Sequence, residues 1–269
     1  MVTPTTWEFA GTRGAVTARV WAAPEPRYVA VLVHGYGEHL GRYGHVADAL
    51  VRHGATVCGP DHMGHGLSAG ERVLVEDYED VVADVHTVVE AARGDHPGLP
   101  VVMIGHSMGG LVAARYAQLH GAGLALLALS GPVLGRWHVV EELLPLEEMP
   151  TDPIDTATLS RDPAVGLAYS ADPLVWHGPF RKRTVRALDA ALRRVNEHGS
   201  LGALPVLYVH GEADRLVRPE DSRVGVEAVR GPGLTERLYP GARHEVFNET
   251  NRDEVLADVT AFIDRVLGG

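Results

Sequence analysis

A serine lies at the centre of a short glycine-rich motif, GHSMG at residues 105–109, which fits the pattern G-x-S-x-G. The apolar run 101–104 before it predicts a buried strand, and the small and apolar residues 110–116 after it predict a helix. A sharp turn between a strand and a helix raises a serine hydroxyl above the sheet, where it can act as a nucleophile. The motif therefore predicts that Ser107 is a nucleophile. The alternative is a serine that only caps the following helix.

A serine hydroxyl needs a base, and that base needs a carboxylate to orient it. Among 15 histidines, His244 follows one predicted strand, and Asp214 follows another. The carboxyl ends of strands are where α/β sheets place ligands and chemistry. The chain order Ser107, Asp214, His244 is nucleophile, acid, histidine, which is one of the orders that serine hydrolases use. We predict these three residues as a catalytic triad, with Glu212 as the rival acid.

Acyl transfer also needs hydrogen-bond donors for the negative charge that develops on the carbonyl oxygen. Met108 begins the helix after the nucleophile, so its backbone N–H is free at the helix start. The glycine-rich turn at residues 34–37 follows the predicted strand 29–33 and offers a second N–H at Tyr36. We predict that Tyr36 and Met108 form the oxyanion hole.

Two other features favour structural roles. Cys58 ends a predicted strand and has no base beside it in sequence, which is typical of a packed small side chain. The segment DHMGHG at 61–66 brings aspartate and histidine together, but a zinc site needs at least three ligands in fixed geometry. We interpret this segment as a structural loop, and we predict no metal and no cofactor.

The elements that must position these residues alternate along the chain. Short runs rich in β-branched residues alternate with amphipathic helical patterns, which predicts an α/β fold with a mostly parallel sheet flanked by helices. The segments near Trp7 and at 16–21 alternate like a hairpin, which predicts an antiparallel edge on that sheet. One helix is predicted from Asp77, as N-cap, to a stop at Gly94. The predicted strands of the main sheet are 29–33, 55–58, 101–104, 124–129, 205–209 and 237–239.

The alternation of strand and helix breaks between residues 132 and 200. This stretch holds seven prolines, which favours short helices joined by turns. We predict a core made of 1–131 and 201–269, and a helical cap made of 132–200. Its leucines and other apolar residues are candidates for the lining of an acyl tunnel: Leu143, Leu144, Leu146, Met149, Leu159, Val165 and Leu167.

Composition excludes several classes of function. The chain has 269 residues, with 24 Lys+Arg against 35 Asp+Glu, so its formal net charge is −11. That charge gives no attraction to nucleic acid phosphates or to an anionic membrane. No apolar run approaches the roughly 18 to 20 residues that a membrane-spanning helix needs. A single cysteine and a first segment without the pattern of a secretory signal predict a cytoplasmic protein.

Six segments together carry a family resemblance. They are HGYGEH at 34–39, GRY at 41–43, DHMGHG at 61–66, GHSMGG at 105–110, HGEAD at 210–214 and HEVFNE at 244–249. On these motifs the chain resembles the monoacylglycerol lipase and lysophospholipase branch of the α/β-hydrolase superfamily over nearly its whole length. The resemblance is weak in the segment 132–200.

The resemblance implies the same triad and the same oxyanion residues. It also implies that Glu38, Arg42 and His106 lie near the glycerol end of the substrate pocket, and that 132–200 corresponds to the family's cap. We therefore expect a cofactor-free serine hydrolase that cleaves monoacylglycerols to fatty acid and glycerol through an acyl-enzyme. The alternatives are a carboxylesterase, lysophospholipase or thioesterase with the same triad, or a non-catalytic ligand-binding protein of this fold. The expected partner is a small lipid ester, with transient membrane or micelle contact through the cap, and with no obligate protein partner.

Overall fold

A single eight-stranded sheet forms the centre of the computed structural model, which describes residues 2–268. The strand order is β1-β2-β4-β3-β5-β6-β7-β8. The pairs β1–β2 and β2–β4 are antiparallel, and all the other pairs are parallel. This confirms the predicted parallel sheet with an antiparallel hairpin at its edge. The strands are β1 (Thr5–Ala10), β2 (Ala15–Trp21), β3 (Tyr28–Val33), β4 (Ala55–Pro60), β5 (Val101–His106), β6 (Leu126–Ser130), β7 (Val206–Gly211) and β8 (Leu234–Tyr239).

Helices cover both faces of the sheet. The α-helices are α1 (Gly44–Arg52), α2 (Tyr78–Asp95), α3 (Met108–His120), α4 (His138–Leu143), α5 (Pro163–Ala171), α6 (Lys182–His198), α7 (Pro219–Ala228) and α8 (Arg252–Leu267). Short 3-10 helices span Leu40–Tyr43, Gly121–Gly123, Thr156–Thr158 and Val246–Asn248. Among the helices of residues 2–268, none combines the length and the apolar character that a bilayer crossing requires.

The alternation of side chains along each strand explains why the central strands are apolar throughout. In β3, Val29, Val31 and Val33 belong to a core cluster with α2, α3 and α6, whereas its other three residues pack against α1 and α8. Successive side chains of a strand point to opposite faces, so a strand between two helix layers needs apolar residues at every position. The fold is thereby confirmed as a doubly covered α/β sheet.

The predicted end of α2 at Gly94 is wrong by one residue. Asp77 is the N-cap, since its carboxylate accepts the N–H of Glu79 at 3.1 Å. The helix continues to Asp95, and His96 leaves the helical conformation with φ −130° and ψ 65°. Pro97 follows, and the residue before a proline is disfavoured in helical geometry. The proline, and not the glycine, therefore sets the end of this helix.

The segment 132–200 contains two kinds of structure. Residues 132–181 hold α4, α5 and long turns, as the prolines predict. In contrast, α6 packs into the main core through Val185, Leu188, Leu192 and Val195, and Gln118 of α3 donates a hydrogen bond to the carbonyl of Val195 at 2.8 Å. Residues 182–198 therefore share the core of the sheet layers, although the predicted cap includes them.

Candidate active site

Ser107 occupies a strained turn between β5 and α3. Its backbone has φ 54° and ψ −121°, a conformation that costs a residue other than glycine about 1–3 kcal/mol. Neighbouring segments hold it there: Ser107 N–H donates to Ser130 O at 2.9 Å, and Ser107 O accepts the N–H of Val133 at 3.0 Å. The side chain lines a cavity at the carboxyl end of the sheet. Ser107 makes no side-chain capping bond to α3, which argues against the alternative of a serine that only caps this helix.

Close backbone approaches explain the glycines on both sides of Ser107. A Cβ at Gly109 would lie 2.1 Å from Val33 O, and one at Gly105 would lie 2.4 Å from Gly109 O. Contacts this short cannot be relieved by a side-chain rotation, because the neighbouring atoms belong to the backbone. The turn therefore requires glycine at both positions of the G-x-S-x-G motif.

Asp214 and His244 meet in the loops after β7 and β8, as predicted. His244 Nδ1 donates to Asp214 Oδ2 at 2.7 Å, and both side chains are buried. This bond leaves Nε2 as the free ring nitrogen, and His244 lines the same cavity as Ser107. Glu212, the rival acid, lies two residues before Asp214 and is exposed, and it makes no hydrogen bond to His244.

The electrostatics of this pair suit a base oriented by an ionised acid. Burial alone would raise the pKa of Asp214, but the imidazoles of His244 and His210 outweigh it and hold this pKa well below its ordinary value. Burial alone would lower the pKa of His244, but the Asp214 carboxylate raises it above 6.5. A histidine that is oriented and charge-stabilised by an ionised carboxylate can take a proton from a hydroxyl and return it.

Two backbone N–H groups border the nucleophile without a partner of their own. Tyr36 N–H and Met108 N–H donate to no acceptor among residues 2–268. Met108 is the first residue of α3, where the helix dipole favours negative charge. The loop that carries Tyr36 reaches the nucleophile directly, because a Cβ at Gly35 would lie 3.2 Å from Ser107 Cβ.

A buried charged network lies on one side of the cavity. Arg42 donates to both oxygens of Glu245 at 2.8 Å, and it also donates to Glu38. Tyr43 O–H donates to Glu38 Oε1 at 2.6 Å. Burial raises the pKa of Glu245, but Arg42 outweighs burial and lowers it, so this carboxylate is ionised at neutral pH. Glu38, Arg42 and Glu245 all line the cavity and make this wall polar.

His106 lies beside the triad histidine. Its Nδ1 contacts Ser130 O at 3.0 Å, and its ring centroid lies 4.8 Å from that of His244. Burial and the neighbouring His244 lower the pKa of His106 to about 4, so this ring is neutral at physiological pH. Since Ser130 O can only accept, Nδ1 carries the hydrogen, and Nε2 of this cavity-lining residue is an acceptor.

The space above Ser107 has two parts. A narrow cavity of about 50 Å³ touches Ser107 and His244, and a larger one of about 480 Å³ extends beneath residues 132–181. The two share five wall residues: Tyr36, Val139, Ile154, Tyr169 and Phe180. Of the residues predicted to line an acyl tunnel, Leu159 borders the first cavity and Leu143 the second, whereas Leu167 is 73% exposed and borders neither.

The sequence patterns do not predict two buried residues of this site. His210 Nε2 lies 3.0 Å from Asp214 Oδ2, on the same oxygen that His244 contacts. Glu245 joins Arg42 across the cavity. Both residues adjoin predicted motifs, since His210 begins HGEAD and Glu245 follows His244. The order of residues in a motif does not reveal which side chain turns inward, so only the three-dimensional contacts identify them.

Cys58 and the loop 61–66, which the sequence assigns structural roles, are packed and hydrogen-bonded to neighbouring segments. Cys58 is buried, and burial raises the pKa of its thiol to about 12, so it is not a thiolate at neutral pH. Asp61 accepts the N–H groups of Leu40 at 2.8 Å and Leu67 at 2.9 Å, which ties the loop 61–66 to its neighbours. Within residues 2–268, no cluster of three histidine, cysteine, aspartate or glutamate side chains has the arrangement of a metal site.

Comparison with known proteins agrees with this geometry. The family model described as serine aminopeptidase, S33, matches residues 24–251. A monoacylglycerol lipase of Mycolicibacterium smegmatis is 38% identical over 266 residues, covering 95% of each chain, and the human monoglyceride lipase is 34% identical, covering 83% of this chain and 77% of that one. The structure of a soluble variant of monoglyceride lipase from Saccharomyces cerevisiae shares the fold, with a TM-score of 0.87, 22% identity and coverage of 99% and 96%. The chain therefore belongs to the family described as serine aminopeptidase, S33, and has the α/β-hydrolase fold.

Proposed function

We propose that this protein is a monoacylglycerol lipase that uses Ser107, Asp214 and His244 as its triad. The observation that carries this proposal is the mixed lining of the cavity at Ser107, which has a charged wall of Glu38, Arg42 and Glu245 as well as apolar side chains such as Leu159 and Phe180, and which adjoins a larger cavity. A monoacylglycerol also combines a polar and an apolar part, a compact polyol and one long chain, joined at the ester that the serine attacks. The similarity to monoacylglycerol lipases at up to 38% identity supports the same substrate class.

The proposed reaction assigns one step to each of these residues. His244 Nε2 takes the proton from Ser107 Oγ as that oxygen attacks the ester carbonyl. Tyr36 N–H and Met108 N–H stabilise the resulting oxyanion. The tetrahedral intermediate then expels the glycerol oxygen, which receives the proton from His244. Water, deprotonated by the same histidine, attacks the acyl-enzyme and releases the fatty acid and free Ser107.

The polar wall suits the glycerol end of the substrate. Arg42 presents N–H donors, Glu38 and Glu245 present carboxylate oxygens, and His106 presents an acceptor nitrogen. Hydroxyl groups both donate and accept, so such a mixed wall can satisfy the free hydroxyls of glycerol where an apolar wall would leave them unpaired. We assign Glu38, Arg42 and His106 to glycerol binding and add Glu245 to them.

The acyl chain would occupy the larger cavity beneath the cap. The volume of this cavity, about 480 Å³, lies within the range of small-molecule pockets, whereas the space of about 50 Å³ at Ser107 does not.

We propose that the cap spans 132–181 and that the core includes α6. The cap carries exposed leucines, Leu146 and Leu167, which support transient contact with a micelle or a membrane. A cytoplasmic location remains a prediction from sequence.

A panel of substrates with matched acyl length tests this function. It contains mono-, di- and triacylglycerols, a lysophospholipid, an acyl thioester and an aminoacyl anilide. We expect kcat/KM for the monoacylglycerol to exceed every other value by at least about ten-fold. A fluorophosphonate probe should label one serine, and Ser107→Ala should abolish both labelling and turnover. Preference for the lysophospholipid or the anilide would overturn the proposed substrate, and labelling of folded Ser107→Ala would overturn the proposed nucleophile.

A further inference from the structure

His34 lies directly behind the loop that carries Tyr36. It follows β3 and is fully buried, with a relative exposure of 0%. Its ring lies in a cluster with two other buried imidazoles, since its centroid is 4.1 Å from that of His62 and 5.5 Å from that of His65. The reaction described above uses none of these three rings.

The hydrogen bonds of His34 fix which nitrogen carries its hydrogen. The backbone N–H of His62 donates to His34 Nε2 at 3.0 Å, so this nitrogen is the acceptor. The hydrogen of the neutral ring therefore lies on Nδ1, which donates to Gly35 O at 2.8 Å. Burial and the neighbouring His62 and His65 lower the pKa of His34 well below its ordinary value, which keeps the ring in this neutral form.

The carbonyl that His34 holds belongs to the peptide unit of the oxyanion donor. Gly35 C=O and Tyr36 N–H lie on the same planar group and, in a trans peptide, point in opposite directions. The chain has no cis peptide bond among residues 2–268. A hydrogen bond that draws the carbonyl towards His34 therefore turns the Tyr36 N–H away from His34. The loop borders Ser107 closely, as the 3.2 Å approach at Gly35 shows.

We propose that His34 is a positioning residue that orients the Gly35–Tyr36 peptide so that Tyr36 N–H points at the oxyanion. Other contacts hold nearby peptide units: Glu38 Oε1 accepts the N–H of the His34–Gly35 unit at 2.7 Å, and Trp176 N–H donates to the carbonyl of the Gly37–Glu38 unit at 2.7 Å. Within residues 2–268, His34 is the only hydrogen-bond partner of the Gly35–Tyr36 unit itself. This inference rests on the oxyanion role proposed for Tyr36.

A thionoester measures the strength of the oxyanion hole separately from the rest of catalysis. Sulfur accepts hydrogen bonds more weakly than oxygen, so an enzyme that relies on N–H donors hydrolyses an ester much faster than its thiono analogue. The ratio of the two kcat/KM values, taken on one preparation, does not depend on the fraction of protein that is folded. We would measure this ratio with a short-chain aryl ester and its thiono analogue, so that glycerol recognition does not enter.

His34→Phe keeps the ring and removes the donor. We expect it to lower the oxygen-to-sulfur ratio by about ten-fold or more, since loss of one oxyanion donor costs on the order of 10²–10³ in kcat. His34→Asn places an amide N–H near the position of Nδ1 and should restore part of the ratio. The matched control is His65→Phe, because His65 Nδ1 contacts Met63 O at 3.0 Å and makes no hydrogen bond to the Gly35–Tyr36 peptide, while phenylalanine keeps a ring beside that of Tyr36, whose centroid lies 5.9 Å away. Its ratio should equal that of the wild type.

A His34→Phe ratio equal to that of the wild type would overturn the inference, even if kcat fell, because such a fall would reflect structure alone. A His65→Phe ratio that fell as far as that of His34→Phe would also overturn it. Failure of the proposed function gives a different result: the wild type would then hydrolyse aryl esters with its normal ratio but would not prefer monoacylglycerols. Absence of any oxygen-to-sulfur discrimination in the wild type would instead contradict the oxyanion role of Tyr36.

Discussion

Asp214 has its full complement of hydrogen bonds. Oδ1 accepts the backbone N–H groups of Leu216 at 2.8 Å and Val217 at 2.9 Å, while Oδ2 receives His210 and His244. Because the loop amides fix the carboxylate independently of either histidine, the direction of the His244 ring is set by the backbone of the loop after β7. His210 Nε2 also lies 2.8 Å from Val217 O, which can only accept, so His210 Nε2 carries a hydrogen.

At the residue scale, the pKa of His244 predicts the response of the rate to pH. The base must be neutral to accept the proton of Ser107, and Asp214 raises its pKa above the ordinary 6.5. We therefore expect kcat/KM to fall as pH decreases through the raised pKa of His244, which lies above the ordinary value. His106 cannot cause this decrease, because its pKa is about 4. Steady-state kinetics on a protein shown to stay folded checks this expectation.

Asp214→Asn should change that profile in a defined direction. Removal of the negative charge lowers the pKa of His244, so the acidic limb should move to lower pH, while kcat falls by about 10³–10⁴-fold. Glu212→Gln is the matched control, since it alters the exposed carboxylate of the same motif. It should leave the position of the acidic limb and the value of kcat unchanged. A profile that stayed flat down to pH 5 in the wild type would refute the assignment of the base.

At the scale of elements, Ile154 of the cap borders both cavities. Ile154→Trp should narrow the passage between them. Each buried methylene contributes about 0.8 kcal/mol, so a long acyl chain that cannot pass loses most of its binding energy. We expect KM for a monoacylglycerol with a long chain to rise at least about ten-fold, and KM for a short-chain ester to stay nearly constant.

Leu167→Trp is the control for this prediction, since Leu167 lies on the same cap, is 73% exposed and borders neither cavity. With both substrates kept below their critical micelle concentrations, so that the micelle contact proposed for Leu167 does not enter, it should leave KM unchanged for both chain lengths. Equal effects of Ile154→Trp on short and long chains would show that the acyl group does not pass this point, and the cap would then not determine chain selection.

The elements of the site were predictable where local pattern and tertiary packing agree. The strand before Ser107, the glycines around it and the order of the triad all follow from short stretches of sequence. In contrast, α6 lies in a segment rich in proline, although Val185, Leu188, Leu192 and Val195 repeat at helical spacing. All seven prolines of 132–200 precede this helix. The proline content of the whole segment therefore did not predict where the cap ends and the core resumes, whereas the helical spacing of the apolar residues indicates that point. The contacts of Glu245 and His210 depend on packing between distant segments, which periodicity does not encode.

On the scale of the whole molecule, buried neutral histidines make stability depend on pH. Burial lowers the pKa of His62 to about 3, and of His65 and His106 to about 4, and each would titrate near 6.5 in the unfolded chain. Between these values the unfolded state binds more protons than the folded state, so stability decreases as pH falls below about 6.5. His244 acts in the opposite direction near neutrality, because its pKa is raised.

We expect each of these three histidines, and His34, whose pKa burial also lowers, to contribute a slope of up to about 1.4 kcal/mol per pH unit between pH 6 and pH 4. Urea unfolding at pH 7, 6 and 5 measures the slope of the unfolding free energy against pH. His65→Gln should reduce this slope by about the contribution of one histidine. A free energy of unfolding that stayed constant over this interval would mean that these rings are not buried in neutral form in solution.

The proposed cap lies between the proposed catalytic residues along the chain. Tyr36, Ser107 and Met108 precede it, and Asp214 and His244 follow it. A cut in its exposed stretch at 147–148 would give one piece with a nucleophile but no base and another with a base but no nucleophile. The pieces would share the parallel β6–β7 pairing and the packing of α6 on α3, so they would have extensive surfaces on which to reassociate. Neither piece would hydrolyse esters alone, so recovery of ester hydrolysis would measure their reassociation. This enzyme would then serve as a split reporter that is detected by its own catalytic activity.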